Sequence, residues 1–146
     1  MPEATFYSLP EEADTALRQS FILRIVEKVQ AQGLSLLLRC QDRDEALGMD
    51  ELLWGGRPES FIAHALVDEE LGKPPPVLIT WPQARQPVAA VLFNLASELP
   101  ENLPPCRLLL LVEGDASARA RRREQWKWLK ERRWQVLSHV LKAGTA

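Results

Sequence analysis

The chain has 146 residues, enough for one ordinary domain, and we expect residues 1–146 to form a single one. A hydrophobic fraction of 46% and a charged fraction of 26% exclude a disordered or fibrous chain. The net charge is only -2, but residues 119–134 hold 8 Lys or Arg against 2 acidic residues, so a basic segment is joined to an acidic remainder.

The first half of the chain alternates strands and helices. Ala4 to Ser8 is predicted to be a strand, and Asp14 is a candidate N-cap for the first helix. Apolar residues then recur four positions apart, at Leu17, Phe21, Ile25 and Val29. Gly33 can end this helix in the left-handed conformation, and Leu34 to Arg39 is predicted to be a strand buried on both faces.

The second helix is predicted to begin after Asp42 or Asp44 and to reach about Trp54, where Gly55, Gly56 and Pro58 stop it. Further strands are expected at Val77 to Trp81, Val91 to Ala96 and Arg107 to Val112. Asp115 or Ser117 begins the last helix, and Trp134 to Val140 resembles a closing strand. This alternation predicts an α/β fold, a single three-layer domain with a central, mostly parallel twisted sheet between helices.

The sequence contains no familiar phosphate-binding or catalytic motif. It lacks GxxxxGK[ST], and no GxGxxG lies between a strand and a helix. His64 could act as a base for nearby Ser60, but no GxSxG or third orienting group accompanies the pair, so a histidine satisfied by hydrogen bonds is the simpler interpretation. We expect no catalytic residues and no small-molecule substrate.

The two cysteines, Cys40 and Cys106, each border an apolar run and are interpreted as small hydrophobic residues. Too few further ligands are spaced for zinc, so we expect no metal and no cofactor. The first residues show no signal-peptide pattern, and no apolar run approaches the roughly 18 residues of a membrane helix. We therefore expect a cytoplasmic protein without a membrane contact.

A first candidate surface lies between Met49 and His64, where a helix ends at one aromatic residue and the following turn precedes another. Trp54 and Phe61 flank a Gly-Gly-Arg-Pro sequence, where side chains usually face solvent. Trp54 either closes one end of the hydrophobic core or, with Phe61, anchors another protein. Aromatic anchors often contribute more than about 2 kcal/mol each to an interface.

A second candidate surface lies on the last helix. Its cations and one indole fall within an arc of roughly 100°, at Arg119, Arg123, Trp126, Lys127 and Lys130. A different face, which we expect to pack on the sheet, is formed by Ala118, Arg122, Gln125 and Leu129. The cationic arc is therefore expected to be exposed.

Three interpretations of this arc remain open. It can be a solvated helix face, which is the commonest fate of a charge run. It can bind nucleic acid directly, through phosphate contacts and base stacking. It can also bind an acidic peptide with an apolar end, whose carboxylates meet the Arg and Lys while the apolar residue packs beside Trp126.

The two surfaces, in this order, resemble the chi subunit of bacterial DNA polymerase III. The specific match is DELLWGGRPESFIAH. The opening ATFY, the strand ending in Cys40, VLITWPQ, VLFNLA and the Arg-rich last helix support it along most of the chain. The resemblance implies a fold similar to mononucleotide-binding α/β proteins without their phosphate loop, and an accessory replication protein that contacts DNA only indirectly.

The resemblance also implies two partners. Trp54 and Phe61 correspond to aromatics that pack against a small helical subunit, psi, of the clamp loader, with Pro58 and Ile62 as weaker candidates. The motif REQWK assigns the acidic C-terminal tail of single-stranded DNA-binding protein to Arg123, Trp126, Lys127 and Lys130. Arg123 would take the terminal carboxylate through its planar fork.

The sequence departs from the family pattern at two positions near the end of the last helix. Arg133 stands where the family usually has glycine, so a left-handed backbone there would cost about 1 kcal/mol. Leu129 replaces a residue that is aromatic in some relatives. Both departures affect the expected arrangement around Lys130 and Trp134.

Overall fold

The structure, a computed structural model, describes residues 2–55, 62–69 and 72–142. Within them the strands are β1 (Glu3–Ser8), β2 (Leu36–Arg39), β3 (His64–Leu66), β4 (Val77–Thr80), β5 (Val91–Asn94), β6 (Arg107–Val112) and β7 (Gln135–Val140). The helices are α1 (Thr15–Ala31), α2 (Arg43–Trp54) and α3 (Ala116–Glu131). Every element predicted from the sequence is present. β3 is an additional strand that was not predicted, because its 3 residues are too few to show a pattern.

The strands form one 7-stranded sheet in the order β3-β4-β2-β5-β6-β1-β7. All neighbouring pairs are parallel, as predicted. The connections from β1 to β2 and from β2 to β3 run in one direction along the sheet, whereas the connection from β6 to β7 runs in the other. Because such crossovers are right-handed, α1 and α2 cover one face and α3 covers the opposite face. The fold is therefore the expected three-layer α/β arrangement.

The core lies on both faces of the central strands. All four residues of β2 and of β5 are buried, which explains their continuous apolar sequences. On β1, Phe6 contacts Trp126 of α3, while its neighbour Tyr7 lines a cavity with Phe21 and Ile25 of α1. Successive residues of β1 thus face the two helical layers on opposite sides of the sheet. Within the described ranges no helix is both long and apolar enough to cross a bilayer.

Candidate interaction surfaces

The carboxyl edge of the sheet is where related α/β folds bind phosphate, at the N-termini of helices. In this protein an aspartate occupies each of these positions. Asp14 accepts a hydrogen bond from the amide of Leu17 at 2.8 Å, Asp42 from that of Glu45 at 2.8 Å and Asp115 from that of Ala118 at 3.1 Å. The three helix N-termini already hold carboxylates, which repel a phosphate and take up amides that would bind it.

The crevice between β1 and β6 is also closed. The connections after these neighbouring strands leave toward opposite faces, which is where doubly wound proteins open a ligand site. Gly114 in the β6–α3 loop packs on the β1–α1 loop so closely that a Cβ atom would lie 3.0 Å from the Cα of Glu11 and 3.1 Å from the carbonyl oxygen of Pro10. Contact between the two loops leaves no room for a nucleotide between them.

Helix α3 is fixed on the sheet by a buried arginine. The Arg122 side chain donates to the carbonyl oxygens of Leu111 at 3.1 Å, Asn94 at 3.5 Å, Ala96 at 2.9 Å and Ser97 at 3.3 Å, and to Gln125 Oε1 at 2.7 Å. Burial lowers the pKa of Arg122 to about 10, so the guanidinium stays charged at neutral pH. Gln125 and Leu129 are buried beside it, which confirms the predicted inner face of the helix.

The side of α3 next to this buried face carries what we call the α3 surface, formed by Arg123, Trp126, Lys127 and Lys130. The three cations are exposed, whereas Trp126 is half-buried, with its ring 5.2 Å from that of Phe6. The Lys130 ammonium lies 6.0 Å from the centroid of the indole. The aromatic ring is thus held by the core on one side and flanked by a cation on the other. The predicted exposure is confirmed for Arg123, Lys127 and Lys130, whereas Arg119 and Trp126 are partly buried.

The cations of the predicted arc differ in their partners. Arg119 donates to Glu11 Oε1 at 3.0 Å, and Lys127 lies 3.6 Å from Glu124 Oε1 in an exposed pair. Arg123 makes no hydrogen bond or ion pair with any of the described residues. Its guanidinium is therefore available for a carboxylate from outside the chain.

The α3 surface continues onto the last strand, a contribution that the sequence interpretation missed. Phe6, which contacts Trp126, is in register with Ser138 of β7, and Ala4 is in register with Val136. Residues in register point to the same face of a sheet, so Val136, Ser138 and Val140 face the α3 side. QVLSHV does not alternate apolar and polar residues, so only the pairing of β7 with β1 identifies them.

The second surface lies at the end of α2, and we call it the Trp54 surface. Trp54 is 61% exposed, so it does not close the core. Its ring meets that of His64 edge-on at a centroid distance of 5.1 Å. His64 itself is enclosed, with Nδ1 2.7 Å from the carbonyl oxygen of Ile62 and Nε2 3.2 Å from Asp50 Oδ1, although that second contact lacks hydrogen-bond alignment. A rigid ring therefore supports an exposed indole.

The other candidates at this surface are placed differently. Phe61 and Pro58 lie outside the described residues. Ile62 is 4% exposed and belongs to the hydrophobic core, so its side chain is not available in the free protein. Of the sequence candidates for this surface, the described structure presents only Trp54.

The two surfaces are far apart. His64, which supports Trp54, begins β3, and the α3 surface adjoins β7; these strands are the two edges of the sheet. Six inter-strand spacings of about 4.8 Å separate them by about 29 Å. The surfaces also lie on opposite faces, because α2 and α3 cover different sides of the sheet.

The thiols show no sign of reactivity. Cys40 is fully buried, and burial raises its pKa well above the usual range. Burial also raises the pKa of Cys106 to about 11. Both therefore remain protonated at neutral pH, in agreement with the interpretation of these residues as hydrophobic.

These features define a class of protein: a parallel α/β fold whose phosphate-binding positions are filled by its own carboxylates and whose described residues include an exposed aromatic surface at Trp54 and a cationic surface on α3. Comparison with known proteins gives the family. The family model described as DNA polymerase III chi subunit, HolC, matches residues 1–136, and the chain belongs to this family.

Three relatives carry the same description, DNA polymerase III subunit chi. The chain is 29% identical to that of Pseudomonas aeruginosa over 142 residues, which is 97% of this chain and 98% of the relative. It is 27% identical to that of Haemophilus influenzae over 135 residues, or 91% and 93%. It is 36% identical to that of Escherichia coli over 89 residues, or 58% and 60%. The protein is thus an accessory subunit of the replicative polymerase complex.

Proposed function

We propose that this subunit is a non-catalytic bridge in the cytoplasm, folded as one domain over residues 1–146. Its Trp54 surface binds psi of the clamp loader, and its α3 surface binds the acidic C-terminal tail of single-stranded DNA-binding protein. The polymerase assembly is thereby held on template strand that is coated with single-stranded DNA-binding protein. The chain itself contacts DNA only indirectly, through that protein.

The observation that carries this proposal is the separation of the two surfaces. A bridge must hold both partners at once, and surfaces that adjoin edge strands about 29 Å apart, on opposite faces of the sheet, do not compete for space. The filled carboxyl edge supports a binding role over a nucleotide enzyme, since the usual phosphate positions hold Asp14, Asp42 and Asp115.

The chemistry of the α3 surface suits a peptide that ends in an apolar residue and a free carboxylate. Arg123 has two parallel donors for the carboxylate and no competing partner among the described residues. The exposed edge of Trp126 can shelter the terminal apolar side chain, while Lys130 and Lys127 meet acidic residues upstream.

Burial of a phenylalanine contributes about 2 to 3 kcal/mol and each charge-assisted hydrogen bond about 1.5 to 3 kcal/mol, against an association cost of at least about 4 kcal/mol. Micromolar, salt-sensitive binding follows.

The chemistry of the Trp54 surface suits an apolar helical partner. An exposed indole whose orientation is fixed by His64 loses little conformational entropy on binding, which is the property of an interface anchor. We assign Phe61 and Pro58, which follow Trp54 in the sequence, to the same contact. Ile62 would contribute from within the core, because it is buried in the free protein.

The tail interaction is tested with a short acidic peptide ending in phenylalanine, titrated by calorimetry in free-acid and C-terminally amidated forms. Because Arg123 holds the carboxylate, we expect amidation and Arg123→Ala each to weaken binding about tenfold or more. Arg121→Ala is the matched control: Arg121 is exposed on the same helix, about 160° around its axis from Arg123.

An affinity that neither amidation nor Arg123→Ala changes would contradict the tail assignment. The remaining interpretation of the cations, direct DNA binding, is tested with a labelled single-stranded oligonucleotide near physiological salt. We expect weak binding, because the residues outside 119–134 hold 10 Lys or Arg and 18 Asp or Glu. Their net charge of -8 repels the phosphates of DNA.

A further inference from the structure

Strand β7 has an open edge. It pairs with β1 on one side, and on its other side no strand of the described structure pairs with it. Its sequence, QVLSHV, contains no Lys, Arg, Asp, Glu or Pro, which are the residues that usually protect an edge from further pairing. Leu137 is 42% and Val140 66% exposed. Within the described ranges this edge is thus six residues long and unprotected.

The main-chain groups that face this edge can be assigned from the pairing with β1. The amides of Gln135 and Leu141 donate to Pro2 and Ser8 on the β1 side, at 3.0 Å and 2.9 Å. Alternate residues of a strand direct their main-chain groups the same way, so those of Leu137 and His139 also face β1. The N–H and C=O groups of Val136, Ser138 and Val140 therefore point outward from the sheet.

The same three residues direct their side chains toward the α3 surface. Trp126 lies level with Ser138, because it contacts Phe6 and Phe6 is in register with Ser138. Helix α3 runs antiparallel to β7, so Arg123 lies about 4.5 Å nearer the Val140 end and Lys130 about 6 Å nearer the Gln135 end. The outward hydrogen-bonding groups of β7 and the cations Arg123 and Lys130 of α3 are thus spread along the same direction, on neighbouring elements.

The positive charge of the α3 surface indicates which kind of strand can pair with the open edge of β7. If two copies paired through β7 in antiparallel fashion, a two-fold axis perpendicular to the sheet would bring both α3 surfaces together across the seam. Arg123, Lys127 and Lys130 of each copy would then face like charges. An acidic segment meets these cations favourably, so charge complementarity points to an acidic peptide rather than a second copy.

We propose that the open edge of β7 receives an acidic partner peptide as an additional, eighth β-strand of the sheet. The inference rests on the proposed function, since the occupant is the peptide whose terminal carboxylate binds Arg123. With that carboxylate near the Val140 end, the peptide runs parallel to β7. Main-chain hydrogen bonds to Val136, Ser138 and Val140 hold it, and its acidic side chains lie over Lys130 and Lys127.

Amide hydrogen exchange followed by NMR tests this pairing directly, with the free-acid peptide at saturation. Amides that already bond β1, at Leu137 and His139, should keep their exchange rates. The outward amides of Val136, Ser138 and Val140 should each slow about tenfold or more, because they gain acceptors. Peptide binding that leaves the exchange of all three unchanged would overturn the proposal.

A pair of variants at one position provides the second test. Ser138→Pro removes an outward N–H without removing a hydrogen bond to β1, a substitution that edge strands tolerate, and Ser138→Ala keeps the N–H. We expect about threefold to tenfold weaker peptide binding in Ser138→Pro than in Ser138→Ala. The thermal midpoint of each variant checks that it is folded.

The outcomes separate the two proposals. Loss of affinity on amidation together with equal affinities of the two Ser138 variants would retain the tail site and refute the added strand. Insensitivity to amidation, with the alternating exchange pattern present, would refute the carboxylate contact and retain the strand. A concentration-dependent dimer in sedimentation, abolished by Ser138→Pro, would show that the edge takes a second copy and would overturn the choice of occupant.

Discussion

Arg122 and Arg123 are neighbours on one helix, and their surroundings give them different tasks. Arg122 is 6% exposed and directs all of its hydrogen bonds inward, to carbonyl oxygens and to Gln125. Arg123 is exposed and has no partner in the described part of the chain. One residue holds the helix to the sheet, and the next is free to bind.

This difference predicts opposite effects on stability. Arg122→Ala leaves several buried carbonyl oxygens without donors, so we expect a loss of about 3 kcal/mol in the free energy of unfolding. Arg123→Ala should change it by less than about 0.5 kcal/mol, because the side chain is exposed. Urea denaturation measures both. Equal losses would mean that the assignment of inner and outer faces of α3 is wrong.

At the scale of elements, α1 and α3 end in the same way with different residues. After α3 the amides of Arg133 and Trp134 bond to the carbonyl oxygens of Lys130 and Leu129, at 3.0 Å and 3.1 Å, which is a Schellman motif. Arg133 has a φ of 64°, the left-handed conformation that suits glycine better than any other residue. After α1, Gly33 takes the corresponding position with a φ of 71°.

Exchanging residue types at these two positions should therefore have opposite effects. Arg133→Gly relieves the left-handed strain and should stabilise the protein by about 0.5 to 1 kcal/mol. Gly33→Ala should destabilise it by about 1 kcal/mol, and the cost is purely conformational because nothing lies within 4 Å of the added Cβ. Thermal and urea unfolding of both variants would settle the point, and a destabilised Arg133→Gly would show that the arginine side chain contributes more than its backbone costs.

The elements that could be predicted from the sequence are those with a strong local signal. Asp14 and Gly33 bound α1 as expected, because caps act within one turn of the helix. β3 was missed, since a strand of 3 residues has too few positions for a pattern. The sites could be predicted in part. Helical periodicity placed Arg123 and Trp126 on one arc of α3, because it depends only on neighbours in the sequence. The position of β7 beside that arc and the contact of Trp54 with His64 could not be predicted, because they depend on residues distant in the sequence.

At the scale of the whole molecule, the sheet separates the two proposed binding surfaces. Seven parallel strands place Trp54 beyond one edge and Arg123 beside the other. The two surfaces share no residue and lie on opposite faces of the sheet, so a partner at one surface does not block the other. We therefore expect the two partners to bind independently, and a variant at one surface to leave the second partner unaffected.

The central claim is that two separate surfaces hold two different partners. It is tested most directly by capture from cell lysate with tagged wild type, Trp54→Ala, Arg123→Ala and the control Arg121→Ala, with mass spectrometry to identify the retained proteins. We predict that Trp54→Ala loses the clamp-loader proteins and keeps single-stranded DNA-binding protein, that Arg123→Ala does the reverse, and that Arg121→Ala loses neither. Loss of the same partners from Trp54→Ala and Arg123→Ala, with both variants folded, would contradict the bridge.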